Sequence, residues 1–462
     1  MADSGWRETT VGVLCDEGVL HTQTGPFGSQ LHSYDYVPSG VPVVPTEGIG
    51  RRRLLTEGIP EVAEETAARL SRHRLKAGDI LFARRGVQAT GLSAIVTPRQ
   101  EGWLCGTGAI LLRIKGKAVD PEFLSFLLSA EESVLWLKQH AVGAVMPNLN
   151  EGVIRQIPLT LPPLAEQKAI AAVLGALDDK IELNRRMNAT LEAMARSLFQ
   201  SWFVDFDPVR RNLDRAANGK HKLPTLGKDP AATFQPLELD ALFPASFQES
   251  SLGHIPTGWE TSTIGAKLQT VLGGTPSRAK PEYWTDGTVA WINSGKTNEF
   301  RIIEPSEWIT KEALENSATK ILPRRTTVLA ITGATLGQVS ITEIECCANQ
   351  SVVAIPASEQ FPTEFIYPWI EENIEKLIAS QTGGAQQHIN KGNVEELVLL
   401  CPDGRVVAAY QTKAKPLFDQ IAANCFQSRT LATLRDTLLP KLLSGELLTK
   451  SVAQTTEGHP TR

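Results

Sequence analysis

Apolar residues between Leu164 and Phe203 recur at Ile170, Leu174, Leu177 and Ile181, then at Leu191, Ala195, Leu198 and Trp202. The steps alternate four and three, which is the period of a seam between two supercoiled helices. In the middle of the series the seam lands on Asn184 and Asn188. Polar residues at such positions cost stability but fix register and partner. The stretch has no interior proline and a single glycine, Gly175, which costs about 1 kcal/mol against alanine. At about 1.5 Å per residue it predicts a rod on the order of 60 Å long, and its apolar stripe needs a partner.

A relative of the rod lies in the same chain. Shifted by 240 residues, Leu177, Asp179, Ile181, Asn184, Thr190, Leu191 and Leu198 fall on Leu417, Asp419, Ile421, Asn424, Thr430, Leu431 and Leu438, while Asn188 meets Ser428. The same shift lays VGAVMPNLNEG (142–152) over TGGAQQHINKG (382–392), matching Gly143, Asn150 and Gly152 with Gly383, Asn390 and Gly392. LKAGDILFARRGVQATGLSAIV resembles ILPRRTTVLAITGATLGQVSI at a shift of 247. The chain therefore reads as a duplication, each half a globular domain followed by a long helix.

The boundaries follow. A first globular domain spans about 1–162, with strands at 41–44, 79–83, 92–96 and 109–114 and helices at 61–70 and 121–140, the latter opened by Asp120 and Pro121. The first rod covers 163–205. A proline-rich stretch without clear periodicity predicts an extended linker over 206–250. The second globular domain spans 251–403, with a helix at 364–380. The second rod covers 404–448, where Pro416 is expected to kink or restart it, and 449–462 reads as a disordered tail.

Apolar content of 42% and charged content of 21% describe an ordinary globular chain. No apolar run reaches the roughly 18 residues of a membrane span, and the start MADSGWRETT is no signal peptide. The six cysteines form no CxxC pair or zinc-spaced cluster, which favours reduced thiols inside a cell. A net charge of −5 excludes a globally basic nucleic-acid binder but leaves room for a local basic face.

Candidate chemistry concentrates in turns. Gln30 and His32 lie in QTGPFGSQLHSYDY, and Arg84, Arg85 and Gln88 lie in FARRGVQATG at a strand end. The second domain offers Asn293 and Lys296 in WINSGKTNE, and Thr332, Thr335 and Gln338 in ITGATLGQ. Arginine, glutamine and asparagine are the side chains that fork onto base edges, and cations hold phosphates. The bland alternative for the arginine pair is a solvated rim. Ala290 to Thr297 loosely fits a phosphate loop, but Trp291 and Ile292 occupy it, only one glycine is present and NEFRIIEP is a poor helix start. Asp205 and Asp207 lack a third metal ligand nearby and suit a turn before Pro208. No cofactor loop, nucleophile elbow or paired-carboxylate spacing is recognisable, so the residues predict a binding protein. A protein-binding scaffold and a nucleotide hydrolase using Lys296 stand as alternatives.

LPPLAEQKAIAAVLGALDDKIELNRRMNATLEAMARSLFQSWFVDFDPV (161–209) closely resembles the central region of specificity (S) subunits of type I restriction-modification enzymes. GPFGSQLH, GDILFARRG, LGHIPTGWE, the WINSG loop and GAQQHINKG resemble the starts and ends of that family's target-recognition domains; at Lys296 relatives often carry an acidic residue. The resemblance implies an α+β fold: two similar target-recognition domains separated by two long antiparallel helices in a pseudo-twofold internal duplication. It implies a non-catalytic subunit that binds double-stranded DNA at an asymmetric bipartite site, with the rods as a ruler. Half-sites one turn apart lie about 34 Å from centre to centre. Two methyltransferase subunits and two restriction/translocase subunits are the implied partners, in the cytoplasm of a prokaryote and with no membrane. They use S-adenosylmethionine, ATP and Mg2+, while this chain needs no cofactor and no metal. Leu177, Ile181, Asn184, Leu191, Leu198, Leu417, Ile421, Asn424, Leu431 and Leu438 are expected to pair the rods and dock those subunits.

Overall fold

The structure, a computed structural model, describes residues 5–86, 89–143, 148–218, 237–379, 389–447 and 449. The chain divides into two compact units, Met1–Ile181 with Thr430–Arg462, and Glu182–Arg429. Each unit holds one globular head and a stretch of both rods.

In the first head the central sheet comprises β1 (Leu20–Thr24), β2 (Ile80–Ala83), β3 (Ser93–Ile95) and β4 (Ala109–Ile114), in the order β1-β4-β2-β3 with every pair antiparallel. The alternation of a strand explains its two cores. Ile80 and Phe82 face Phe123, Leu124 and Leu137, whereas Leu81 and Ala83 face Val44, Ile49 and Leu111. A parallel pair, Val43↔Leu104 and Val44↔Cys105, lies beside it.

The second head repeats the plan. β5 (Val271–Leu272), β6 (Thr326–Ala330), β7 (Val339–Thr342) and β8 (Val352–Ile355) form a sheet in the order β5-β8-β6-β7. The parallel pair is Trp291↔Cys347 and Ile292↔Ala348. Val328 and Leu329 again point into different cores. Asn150 and Asn390, matched by the 240 shift, both cap short helices, accepting from Val153 N at 2.9 Å and Asn393 N at 3.0 Å.

The first rod is one helix, Leu164–Phe199, ending in a widened π-helical turn at Gln200–Val204, and the second is Gly404–Leu443. In the first unit Asp178 accepts from Arg435 at 2.7 Å, and Ile170 and Leu174 share a core with Leu442. In the second unit Asn184 donates to Gln427 Oε1 at 2.9 Å, Asn424 donates to Asn188 Oδ1 at 2.9 Å, and Trp202 meets Tyr410 at 5.8 Å. Partners run in opposite chain order within each unit, so the rods are antiparallel. Asn184, Asn188, Ile421 and Asn424 are buried; Leu177, Ile181, Leu191, Leu198, Leu417, Leu431 and Leu438 are half-buried.

Several expectations change. Beside Leu177 the buried position is Asp178, neutralised by two arginines. The second rod runs unbroken through Pro416, whose ring and the Thr412 side of the helix are exposed, so water can take the carbonyl that proline leaves unpaired. The 121–140 helix breaks at Ala130, which is extended, into Pro121–Ser129 and Glu131–His140. The helix expected at 61–70 shrinks to Glu64–Arg69, because Glu61 and Val62 pair as a strand.

The stretch 206–250 is not wholly extended. Asp207–Asn218 is a helix with Pro208 in its first turn, where a missing N–H costs nothing. Val209 is buried among aromatics, and Arg211 and Arg215 pair with Asp240 at 3.0 and 2.7 Å. Residues 219–236 lie outside the described residues, as does the tail except Thr449, whose hydroxyl donates to Glu166 at 3.0 Å. Among the described residues no helix is long and apolar enough to cross a membrane.

Candidate nucleic-acid interface

Strand direction gathers the turns. β1 and β2 are both antiparallel to β4, with Thr24↔Ile110 and Ala83↔Ala109, so the turns after β1 and β2 leave the sheet at the end where β4 begins. Gly25 passes so close to Gly106 that a Cβ would lie 1.9 Å from its carbonyl oxygen. Thr46, in the turn after Val41–Val44, donates to Gly108 O at 3.1 Å and brings a third turn there. The second head has the same construction. Gly273 abuts Ala348 and Asn349, Asn349 N donates to Ile292 O at 2.9 Å, and the turn Ser294–Asn298 packs on Gly333–Thr335.

The turn after the central strand has a shared frame. Its limits are left-handed glycines, Gly86 (φ 113°) and Gly91 (φ 88°) in one head, Gly333 (φ 73°) and Gly337 (φ 84°) in the other. Leu149 N donates to Arg84 O at 2.8 Å and Ile389 N to Ile331 O at 3.0 Å, holding corresponding backbones.

The sequence-predicted residues have different fates within this frame. The Arg84 guanidinium donates Nε to Asn148 Oδ1 at 3.0 Å and Leu149 O at 3.1 Å, so it braces the turn. Arg85 beside it is exposed, and Gln88 lies outside the described residues. Gln30 Oε1 accepts from Phe27 N at 3.1 Å, and its carbonyl accepts from Arg69 at 2.7 Å. His32 stacks on Tyr34 at 4.8 Å.

In the second head Asn293 is exposed and caps its turn, accepting from Gly295 N at 2.9 Å, and Lys296 is paired with Glu299 at 2.6 Å. That turn is a 3-10 helix of five residues, so the phosphate-loop reading of Lys296 fails: the ammonium is neutralised and no α-helix follows. Thr335 donates to Thr332 O at 3.4 Å, while Gln338 Oε1 is buried without a partner. Asp205 accepts from Gln200 at 3.3 Å and Asp207 opens a helix; among the described residues no group of three or more His, Cys, Asp and Glu is placed to hold a metal ion.

Residue-type reasoning passed over Phe27 (59% exposed), which with Arg69 and Arg72 bonds to Gln30, and Tyr34 (78% exposed), which stacks on His32. It also passed over Thr275, whose hydroxyl donates to Gln350. The available signal was positional: GGTPS follows β5 as GPFGS follows β1. Under the first of these turns His73 is buried, and burial followed by the Arg72 charge pushes its pKa down to about 4. The assembled turns offer amide, hydroxyl, guanidinium and aromatic groups to an external surface, chemistry suited to reading a polyanion's base edges.

The family described as "Type I restriction modification DNA specificity domain" matches residues 34–193 and 256–403, one segment in each half. The type I restriction enzyme HindI specificity subunit of Haemophilus influenzae is 26% identical over 408 residues, covering 81% of this chain and 87% of that protein. The MjaIX specificity subunit of Methanocaldococcus jannaschii is 25% identical over 329 residues, covering 71% and 69%. Among solved structures, the type I S subunit from M. genitalium superposes with a TM-score of 0.57 at 13% identity, over 96% of this chain and 97% of that one, and so shares its fold.

Proposed function

We propose, from the premise that this chain belongs to the type I restriction modification DNA specificity family, that each head reads one half of an asymmetric bipartite DNA site. The chain is a DNA sequence-specificity subunit, a recognition component rather than an enzyme in its own right. The observation that carries the bipartite reading is the duplicated frame. Two sheets of identical strand order present turns of different chemistry, as two unlike half-sites require. The rods serve as the ruler between them.

In this reading two methyltransferase subunits and two restriction/translocase subunits dock along the rods in the cytoplasm of a prokaryotic host. S-adenosylmethionine, ATP and Mg2+ serve those subunits, which methylate adenine and restrict unmodified DNA. Extruding an adenine costs a few kcal/mol, so anchoring on both flanks is useful. Phosphate contacts make such binding steeply salt-dependent, and base contacts make it selective.

The first-head assignment is tested with Arg84→Ala combined with Arg85→Ala, and with Arg85→Ala alone because Arg84 also braces Asn148. Footprinting and methylation by the assembled methyltransferase are expected to show weakened, less selective use of one half-site. Unchanged affinity and site preference in both variants would remove the assignment.

A further inference from the structure

The same device recurs where each head meets a rod, built from unlike residues. In the first unit Arg52 donates Nε to Asp178 Oδ2 on the first rod at 2.8 Å and NH2 to Glu122 at 3.1 Å, with its guanidinium 3.4 Å above the Phe126 ring. Asp178 also takes Arg435 from the second rod at 2.7 Å. The Arg52 side chain is only 11% exposed, and its backbone (φ 65°) is in the left-handed region that non-glycine residues avoid. In the second unit Arg301, with 0% side-chain exposure, donates to Glu192 Oε2 on the first rod at 2.8 Å. Its guanidinium lies 4.8 Å from the Tyr367 ring and 5.4 Å from that of Phe418 on the second rod.

Asp178 and Glu192 are fourteen residues apart in the sequence, two heptads of the seam pattern. Phe418 is the 240-shift counterpart of Asp178. Both arginines follow the turn after the parallel-paired strand, Thr46–Gly48 in one head and Ser294–Asn298 in the other. The strand that follows the glycine-bounded turn holds Arg52 directly in one head, where Arg52 N donates to Ser93 O at 2.7 Å, and holds the residue after Arg301 in the other, where Ile302 N donates to Ile341 O at 2.9 Å. One side chain thus connects two reading turns to the rod.

The geometry points to Arg52 and Arg301 as positioning residues: each pins one head to its rod and so fixes how that head's turns are presented to DNA. A buried guanidinium suits the task, because its planar fork stacks and pairs in one orientation only and its charge cannot be left unpaired. This role rests on the proposed reading of a two-part site.

The test is methylation by the whole assembly, this chain with its methyltransferase subunits, on duplexes with the natural spacer or one base pair more or less. Glu192→Gln keeps volume and removes the charge facing Arg301. It is expected to lower the preference for the natural spacer about tenfold while the bases required within each half-site stay the same. Arg301→Lys, which keeps the charge and loses the planar stack, is expected to act likewise and serves if Glu192→Gln fails to assemble; Asp178→Asn poses the question at the first head. An unchanged spacer preference in assembled variants overturns the proposal even if thermal stability falls. A wild-type assembly without a two-part site would instead reject the underlying function.

Discussion

Where rod meets head, the two halves use the same positions and different side chains. The first unit buries Ile170, Leu174 and Leu442; the 240 shift places Tyr410, Ala414 and, on the first rod, Trp202 at the matching points of the second. Two of these pairs grow and one shrinks, so volume is redistributed while the joint remains packed. The second joint extends into an aromatic cluster, with Phe203 4.9 Å from both Phe365 and Tyr410. At the tips the contrast differs in kind. Arg84-Arg85-Gly86 stands against Ile331-Thr332-Gly333, with the backbone tethers retained and the charge gone. A frame fixed by glycines and main-chain bonds leaves its tip side chains free to diverge, which is what two readers of unlike sequence need.

Trp202→Ala should have the largest effect on this comparison. Emptying an aromatic socket costs about 3–5 kcal/mol, and Leu442→Ala at the matching position should fall nearer the lower end of about 2–5 kcal/mol because fewer contacts vanish. Urea unfolding followed by circular dichroism measures both; equal losses would show that the aromatic joint carries no extra packing.

The rods also differ in their polar seam residues, where Asn184 meets Asn424 but Asn188 stands against Ser428. Asn188→Ala removes the acceptor of the buried Asn424 amide, so it should cost about 1–3 kcal/mol. Retained stability would mean that the amide finds another acceptor. At the tips, Arg85→Ala should relax base preference at one half-site by about 1–3 kcal/mol and leave the other untouched. Relaxation at both would refute independent reading.

Much of this was legible in the sequence. The rods declared themselves through an unbroken four-three spacing, and the duplication through identities at a single shift. What stayed hidden depends on partners distant in the chain. Asp178 looks like an exposed neighbour of Leu177 until Arg52 and Arg435 converge on it. Arg84 and Arg85 are indistinguishable as residue types, and only the return of Asn148 assigns one inward. The helix at Asp207–Asn218 is set by Asp240 and the aromatic core rather than by local periodicity.

The smallest effect tests whether the frame is shared. Asn150 and Asn390 each accept a main-chain N–H at the start of a short helix, and in both a Cβ on the glycine two residues later would sit 3.1 Å from the cap oxygen. Removing such a cap costs about 1 kcal/mol, because an orphaned helix N–H then has only water. Asn150→Ala and Asn390→Ala should therefore lower stability by similar amounts, read as matched shifts in urea midpoint at unchanged slope. Each helix follows a segment tethered to a reading turn, Leu149 to Arg84 and Ile389 to Ile331, so hydrogen exchange at the tethered amides should quicken in the mutated half alone. A loss confined to one variant would show that the two caps, alike in geometry, do unequal work, and that the heads diverged in frame as well as in tip.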